Sequence, residues 1–531
     1  MASSEETKTV PGAKQSIVAS NGVWRTALVL ALLVLPVPVN LLWFHVFDNP
    51  FYGVDEAVQY PLGLQTAADN LPWLRDIHIQ TNQFRNVFIS PAINYFSLPL
   101  VAVFGLRHLS FAMTNTAVLV AAMMLLAFLF RRKEEMERIA LCLAVLLSIP
   151  AIWRLSRIYY PDGTLIGLSL AFFAIWLRDA KLEKWSTTLL LGVLAGVGLL
   201  TKATFGAFIV APLLLTLVAV FQQRPVAWRR LGNWALSAAV AGLIYAPWWL
   251  PRWRESVDDI ISHTAGHHST GQLMAEAVGP LEILGGFNVA LLVLGLFFTA
   301  LAWRRRLFRR ESLALLLAFI LPALYFWLGQ RHTFVRQMVP ALPPLALLVG
   351  AGIGRLQGKK TMAVLLFAVF LAAAPAMVID FRPESSRENK VLNLPEMISA
   401  LDESLPADGV NVTVLDVRGE TVVNGAMLLY WLALERGALS GDSQHLNWLW
   451  WSLSRDEGAL LDHYAGSDTL LLLYDDPPRP EFAAFLSELT TRLADRRAAT
   501  RLRMQLSERA AAEQWMALFL RGDDPATLRV D

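Results

Sequence analysis

Long apolar segments separated by short charged loops make up most of the chain up to residue 378, and a more polar region follows. A membrane-spanning helix needs about 20 mostly apolar residues. Segments that reach or approach this length lie at 23–46, 87–104, 109–130, 139–153, 164–178, 186–200, 204–221, 231–250, 287–302, 312–328, 338–354 and 361–378. The pattern predicts a polytopic α-helical membrane protein.

The overall composition agrees with this class. Hydrophobic residues make up 55% of the chain and charged residues only 17%, whereas soluble domains carry about 25% charged residues. The formal net charge of +2 is close to neutral and argues against a nucleic-acid partner. Cys142 is the only cysteine, so the chain has no internal disulfide framework.

Basic residues in the short loops indicate the orientation of the segments, because cytoplasmic loops collect Lys and Arg. All the basic loops share one side of the membrane only if segment 87–104 does not span it. That segment contains Pro91, Asn94, Ser97 and Pro99, which suit an interfacial or re-entrant helix. We therefore predict about 11 membrane helices. The basic loops lie at 131–138, 178–184, 224–230, 304–310 and 355–360.

This orientation divides the chain into three predicted regions. Residues 1–22 form a cytoplasmic segment, and 23–379 form the transmembrane domain with a large first outer loop at 48–108. Residues 380–531 form a soluble α/β domain outside the membrane. In this last region strands are predicted at 410–417 and 469–476, helices at 424–437, 442–464 and 480–497, and a terminal hairpin in "TRLRMQLSE" and "EQWMALFLR".

Two acidic motifs lie in the predicted outer loops. Asp55 and Glu56 lie within about ten residues of the first apolar segment, and "RIYYPDGTLIG" places Asp162 and Tyr160 before another apolar run. The first pair has the alternative of being ordinary solvated loop. Asp162 has the alternative of being a helix N-cap. Both motifs remain candidates for chemistry at the outer face, with Tyr160 a candidate substrate contact.

Basic residues and histidines at the same predicted face suggest anion or metal binding. Lys202, Arg331 and Arg336 lie at outer ends of apolar segments, where they suit a phosphate group or merely contact lipid head groups. The outer loop at 251–286 contains a histidine cluster with a four-residue spacing, a candidate zinc site, although nearby glycines disfavour a regular helix. The cluster consists of His263, His267 and His268.

Taken in order, these motifs resemble those of bacterial GT-C glycosyltransferases. The group with protein O-mannosyltransferases and the lipid A aminoarabinose transferase is the most similar. The resemblance covers roughly 23–355 and rests on the order of short motifs, namely "DEA", "YPDG", "LLTKATFG" and "RHTFVRQMVPALPPLALL". One departure concerns the Lys-Pro-Pro sequence common in the family, which here reads "FRNVFISP" with Arg85.

The resemblance implies an enzyme of the bacterial inner membrane that uses a polyprenyl-phosphate-linked sugar donor. Such a lipid phosphate is already a good leaving group, so the reaction needs one carboxylate base and cations for the departing phosphate. Asp55 matches the family's essential carboxylate, and Asp162 matches a second acid that orients the acceptor or helps hold a divalent metal. Lys202, Arg331, Arg336 and Arg85 are the candidates for contacts with the phosphate.

The acceptor implied is a hydroxyl on a lipid, glycan or protein, and single displacement would invert the anomeric centre. A transporter or lipid flippase is the alternative from another class, but the inverted repeats and broken helices typical of transporters are not evident in the sequence. A non-catalytic member of a cell-envelope glycan assembly system is a further alternative.

Overall fold

The computed structural model describes two compact units that are drawn from interleaved parts of the chain. The helical unit comprises Met1–His45, Thr116–Ser156 and Asp162–Asp380, and the sheet unit comprises Val46–Asn115, Arg157–Pro161 and Phe381–Asp531. The residues described are 26–47, 54–71, 78–81, 92–132, 135–222, 225, 227–254, 290–305, 309–329, 335–354, 394–405, 411–416, 432–433, 436, 440–445, 469–476, 480–495, 498–508 and 513–521.

Helices dominate the described chain up to residue 354, as the apolar pattern predicts. Proline occupies the first position of several, where its missing N–H costs no helical hydrogen bond. The helices are α1 (Pro36–Phe47), α2 (Val54–Asn70), α3 (Ala92–Phe104), α4 (His108–Ala112), α5 (Thr114–Leu129), α6 (Met136–Leu147), α7 (Pro150–Ser156), α8 (Pro161–Arg178), α9 (Trp185–Thr201), α10 (Phe205–Phe221), α11 (Trp228–Trp249), α12 (Ala290–Arg304), α13 (Arg309–Gly329), α14 (Val335–Met338) and α15 (Leu342–Ile353).

Two stretches of helix are long and apolar enough, within the part of the chain that is described, to cross a membrane. Thr26–His45 and His108–Leu129 have mean hydropathies of 2.3 and 2.0, and α6 and α7 form a further apolar pair bent by 76°. Helix α3 has 13 residues, or about 20 Å, which is less than the hydrocarbon thickness of about 30 Å. Its length agrees with the non-spanning interpretation, while the number of spans remains a prediction.

Small residues allow helices of the helical unit to approach closely, as in other membrane bundles. A Cβ atom added at Gly350 of α15 would lie 2.6 Å from the Cα of Cys142 on α6. At Gly192 of α9 it would lie 2.7 Å from the carbonyl oxygen of Ser237 on α11. These glycines therefore set the packing of α6 with α15 and of α9 with α11.

Buried polar side chains tie three further helices of this unit together. The amide of Asn40 on α1 donates to Thr116 Oγ1 of α5 at 2.8 Å and to Ser156 Oγ of α7 at 3.0 Å. Thr116 in turn donates to the carbonyl oxygen of Ser156 at 2.8 Å. In an apolar interior each unsatisfied polar group would be costly, so this network specifies how α1, α5 and α7 meet.

The sheet unit contains a six-stranded mixed sheet in the order β1-β3-β2-β4-β6-β5. The pairs β1–β3, β3–β2 and β2–β4 are parallel, and β6 pairs antiparallel with both β4 and β5. Helices α16 (Leu394–Ser404) and α17 (Pro480–Asp495) belong to the same unit. The strands are β1 (His78–Thr81), β2 (Asn411–Asp416), β3 (Ser440–His445), β4 (Thr469–Asp476), β5 (Ala498–Glu508) and β6 (Glu513–Arg521).

The sequence-based predictions for this region are confirmed in part. Strands β2 and β4, helix α17 and the terminal hairpin β5–β6 all lie where the pattern places them. The predicted helix at 442–464 is wrong at its start, because Ser440–His445 forms β3 between β1 and β2. Most of the predicted helix at 424–437 lies outside the described residues. Strand β1, from the first predicted outer loop, was not expected in this sheet.

Candidate active site

The two acidic residues after the first apolar segment lie at the start of a helix. Asp55 and Glu56 are in the first turn of α2, which runs from Val54 to Asn70. A helix N-terminus carries a partial positive charge that stabilises nearby carboxylates. The backbone of the pair is therefore part of a regular helix.

Helix α2 is held in the sheet unit by a close contact at Gly63. A Cβ atom at this position would lie 2.7 Å from the Tyr159 hydroxyl and 2.8 Å from the ring of Phe111. One turn earlier, the ring of Tyr60 lies 5.1 Å from that of Tyr159 and 4.5 Å from that of His108. Helix α2, whose first turn contains Asp55, is therefore fixed in the sheet unit by a packed aromatic cluster.

A buried hydrogen-bond network completes this cluster. The Tyr159 hydroxyl donates to Asn94 Oδ1 at 2.9 Å and lies 3.3 Å from Ser97 Oγ, both on α3. Burial raises the pKa of Tyr159 above its ordinary value, and the hydrogen bond with Ser97 opposes this shift. Asn115 donates to the carbonyl oxygens of Ile158 and Tyr160. Asn94 and Ser97 thus face the interior of the sheet unit, and the interfacial or re-entrant character of their segment stays a prediction.

Asp162 and Lys202 form a buried ion pair within the helical unit. The Lys202 ammonium lies 2.9 Å from Asp162 Oδ1 and 3.1 Å from Oδ2. Asp162 is 1% exposed and Lys202 is 8% exposed. Asp162 lies in the first turn of α8, and Lys202 directly follows the last turn of α9. The pair therefore joins the start of one helix to the end of the next.

This geometry decides between alternatives that the sequence left open. Asp162 is not an N-cap residue, because Pro161 is already the first residue of α8. Lys202 does not extend into a lipid interface, because it is buried and points at Asp162. The carboxylate of Asp162 already has a protein cation as its partner, which does not favour a metal ion at that position.

The other predicted site residues are placed less fully. Tyr160 is half-buried, and its carbonyl oxygen accepts from Asn115 at 2.9 Å. The backbone of Arg336 belongs to α14. Among the described residues no group of three His, Cys, Asp or Glu side chains could hold a metal ion. Arg85, Arg331 and the three histidines His263, His267 and His268 lie outside the described residues.

Gln59 is a buried polar residue that the sequence analysis missed. It lies one turn after Asp55 on α2 and is fully buried. Its side-chain amide makes no hydrogen bond with the part of the chain that the structure describes. The i, i+4 spacing places Gln59 on the same helix face as Asp55. That spacing is the only feature of the sequence that links Gln59 to the site, because a glutamine in a predicted polar loop is not by itself evidence of function.

The sequence of the central region matches known transferases. Residues 90–250 match the family described as dolichyl-phosphate-mannose-protein mannosyltransferase. Over 187 residues the chain is 28% identical to undecaprenyl phosphate-alpha-4-amino-4-deoxy-L-arabinose arabinosyl transferase 1 of Sodalis glossinidius (strain morsitans). This match covers 33% of the present chain and 31% of that relative, so it spans about a third of the relative's length.

The fold is similar over nearly the whole chain to a solved transferase. The structure of ArnT from Cupriavidus metallidurans bound to undecaprenyl phosphate aligns with a TM-score of 0.56 at 14% identity, covering 93% of this chain and 97% of ArnT. The apo form gives 0.57 at 15% identity, covering 94% and 98%. Together with the match over residues 90–250, this similarity of fold confirms the resemblance to GT-C membrane glycosyltransferases that the motif order predicted.

Proposed function

We propose that the protein transfers a sugar from a polyprenyl-phosphate donor to an acceptor hydroxyl at the outer face of the bacterial inner membrane, with inversion at the anomeric carbon. The observation that carries this proposal is the combination of an ArnT-like fold with a match to mannosyltransferases over residues 90–250. One of the ArnT structures has undecaprenyl phosphate bound. A lipid-phosphate donor of this class therefore suits the present chain, and the region 380–531 would lie outside the membrane.

In the proposed mechanism Asp55 is the base that accepts the proton of the acceptor hydroxyl. The oxygen then attacks the anomeric carbon as the bond to the lipid phosphate breaks, so one carboxylate and no general acid suffice. The position of Asp55 in the first turn of α2 supports this role, because the partial positive charge at a helix N-terminus favours an acidic residue there. Glu56 follows Asp55 in the same turn, and we propose a supporting role for it.

The departing phosphate needs cationic partners. The Asp162–Lys202 ion pair changes which residues we propose for this role. Lys202 is already neutralised by Asp162 at 2.9 Å, so we propose that this pair positions the ends of α8 and α9. Arg331 and Arg336 then become the main candidates for the phosphate, with bidentate contacts that suit a guanidinium. Arg85 and Tyr160 remain candidates for further donor or acceptor contacts.

The direct test is a transfer assay on the purified protein with Asp55→Asn. The substitution keeps the size of the side chain and removes the base, so we expect the rate to fall by about 10²–10⁴-fold. Asp69→Asn is the matched control, because Asp69 is exposed at the far end of the same helix. We expect this control to retain the parental rate.

Melting curves should show that both variants remain folded. A variant with Asp55→Asn that transfers sugar at the parental rate would remove Asp55 from the mechanism while leaving the transferase assignment standing. If the parent itself transfers no sugar from any polyprenyl-phosphate donor, the transferase proposal fails and a non-catalytic role in glycan assembly becomes the better account.

A further inference from the structure

The ends of several helices in the helical unit surround a cleft that the proposed transfer reaction does not use. The cleft has a volume of about 60 Å³. Side chains and backbone from the ends of α8, α10, α11 and α13 line it. The polar lining residues are Lys181, Thr216, Arg230, Arg310 and Glu311.

The charge of this cleft favours an anion. Three cationic residues, Lys181, Arg230 and Arg310, line it against a single acidic residue, Glu311. Arg230 also pairs with Glu183 on the outside of the cleft. Even when Glu183 is included, the cations outnumber the acids, and a phosphate group would be the natural counter-ion.

Hydrogen bonds orient Arg310 and Thr216 in the lining of the cleft, and they use only part of the donor capacity of Arg310. Arg310 donates through one guanidinium nitrogen to Gln222 Oε1 at 3.2 Å. A guanidinium has five N–H donors, so this contact leaves others for a ligand. Trp176 donates from its indole nitrogen to Thr216 Oγ1 at 3.1 Å, which fixes the floor of the cleft.

The rest of the lining is apolar and adjoins an exposed apolar stripe of α10. Leu215, Ala219 and Val220 of α10 line the cleft. The neighbouring stripe of the same helix exposes large apolar side chains, namely Leu214 (50%), Val218 (48%) and Phe221 (54%). A ligand with a phosphate head and hydrocarbon chains would satisfy both surfaces, whereas inorganic phosphate would use only the polar one.

The cleft lies at the opposite end of α8 from the Asp162–Lys202 pair. Asp162 lies in the first turn of α8, and the cleft-lining residues Ala180 and Lys181 follow its last turn. The 18 residues of α8 span about 27 Å, close to the hydrocarbon thickness of a bilayer. The loops that carry these cations are also among the basic loops predicted to be cytoplasmic, where anionic lipid head groups are attracted to basic pockets.

We propose that this cleft binds the phosphate head group of an anionic phospholipid, with the acyl chains lying against the exposed face of α10. The site is separate from the one proposed for sugar transfer and does not depend on it. It would couple the protein to the lipid composition of the leaflet opposite the reaction.

The experiment measures binding of phosphatidylglycerol to the delipidated protein by native mass spectrometry, with phosphatidylcholine as the neutral comparison. We expect the parent to bind phosphatidylglycerol preferentially. The double variant Arg230→Gln, Arg310→Gln should bind it about tenfold to thirtyfold more weakly. Arg131→Gln, Arg305→Gln is the matched control, because both arginines are exposed and lie outside the cleft lining.

A second variant protects the test against misfolding of the first. Ala219→Phe keeps every charge and fills the apolar wall, so it should also weaken phosphatidylglycerol binding. Equal binding by the parent and by both variants would overturn the proposal. Inorganic phosphate that displaces phosphatidylglycerol at equal concentration would also overturn it, because the cleft would then be a site for free phosphate.

Discussion

Two buried polar arrangements fasten helices in this protein, and they do so by opposite means. In the helical unit, the fully charged pair Asp162–Lys202 joins the ends of α8 and α9. In the sheet unit, neutral groups around Tyr159 join α2, α3 and the segment before α8. The charged pair concentrates its energy in two side chains, whereas the neutral network spreads it over rings, amides and hydroxyls.

The difference has a physical consequence for substitution. Removing one member of a buried ion pair leaves an uncompensated charge in a medium of low dielectric constant, which is very costly. Removing one hydroxyl from a neutral network leaves at most a polar group without its partner, which costs less. We therefore expect the helical unit to be the more sensitive of the two to a single change at its polar contact.

Breaking the ion pair should have the largest effect on stability. Lys202→Gln or Asp162→Asn alone should lower the free energy of unfolding by about 3–5 kcal/mol. The double variant Asp162→Asn, Lys202→Gln should recover much of this loss, because neither charge remains buried. Thermal melting of the four proteins in one detergent gives the coupling between the two residues.

The same variants separate a structural role of Lys202 from phosphate binding. A purely structural pair predicts that the double variant regains stability and keeps its dependence on donor concentration. If the double variant were stable but needed much more donor, Lys202 would contact the phosphate as the sequence first suggested. If the double variant lost as much stability as the two single variants together, the result would contradict the pairing itself.

A smaller effect is expected where α2 packs on the aromatic cluster. In Gly63→Ala the new Cβ would meet the Tyr159 hydroxyl at 2.7 Å and Phe111 at 2.8 Å, and such overpacking costs about 1–3 kcal/mol. Gly232→Ala is the matched control, because that helical glycine has no atom within 4 Å of an added Cβ. Alanine has a higher helix propensity than glycine, so the control Gly232→Ala should be slightly stabilised. A Gly63→Ala variant that is also stabilised would contradict the close contact at Gly63.

Removing the phenol oxygen tests the neutral network directly. Tyr159→Phe keeps the ring contacts and deletes the hydrogen bond to Asn94, which should cost about 1–2 kcal/mol. Asn94→Leu in the same background should cost little more, since its main partner is already gone. The comparison of the two regions fails if Tyr159→Phe costs as much as breaking the ion pair.

The smallest effect should come from Gln59, whose buried amide has no hydrogen bond within the described chain. Gln59→Leu should raise the melting temperature, because an apolar side chain removes a desolvated polar group worth about 1 kcal/mol. A lower melting temperature would reveal a partner for this amide. Reduced transfer with unchanged stability would instead place Gln59 among the substrate contacts beside Asp55.

Much of the fold follows from local pattern, and the exceptions have a common cause. "TLLLLYDD" becomes β4 because an apolar run of this length suits a strand covered on both faces. "SGDSQH" becomes β3 although it is polar and lacks alternation. Its conformation comes from pairing with β1 and β2 on either side, and no local signal encodes a partner so distant in sequence.

The site shows the same division. The sequence placed Asp162 and Lys202 on one membrane face, because the start of one helix and the end of the next lie at the same level. Their contact depends on how α8 and α9 pack, which the order of residues does not reveal. The support for α2 through Gly63 and Tyr159 was equally hidden, since it depends on residues about a hundred positions apart meeting in one cluster.

The pairing of β1 with β3 delays completion of the sheet unit during synthesis of the chain. His78 pairs with Ser440, and a ribosome adding 5–20 residues per second needs roughly 20–70 s to make the chain between them. During this interval β1 lacks its partner strand β3, and the helix that contains Asp55 belongs to an incomplete unit. Assembly of this unit is therefore a late, post-insertion event, and a nascent chain halted before residue 440 should be inactive even with every apolar segment in the membrane.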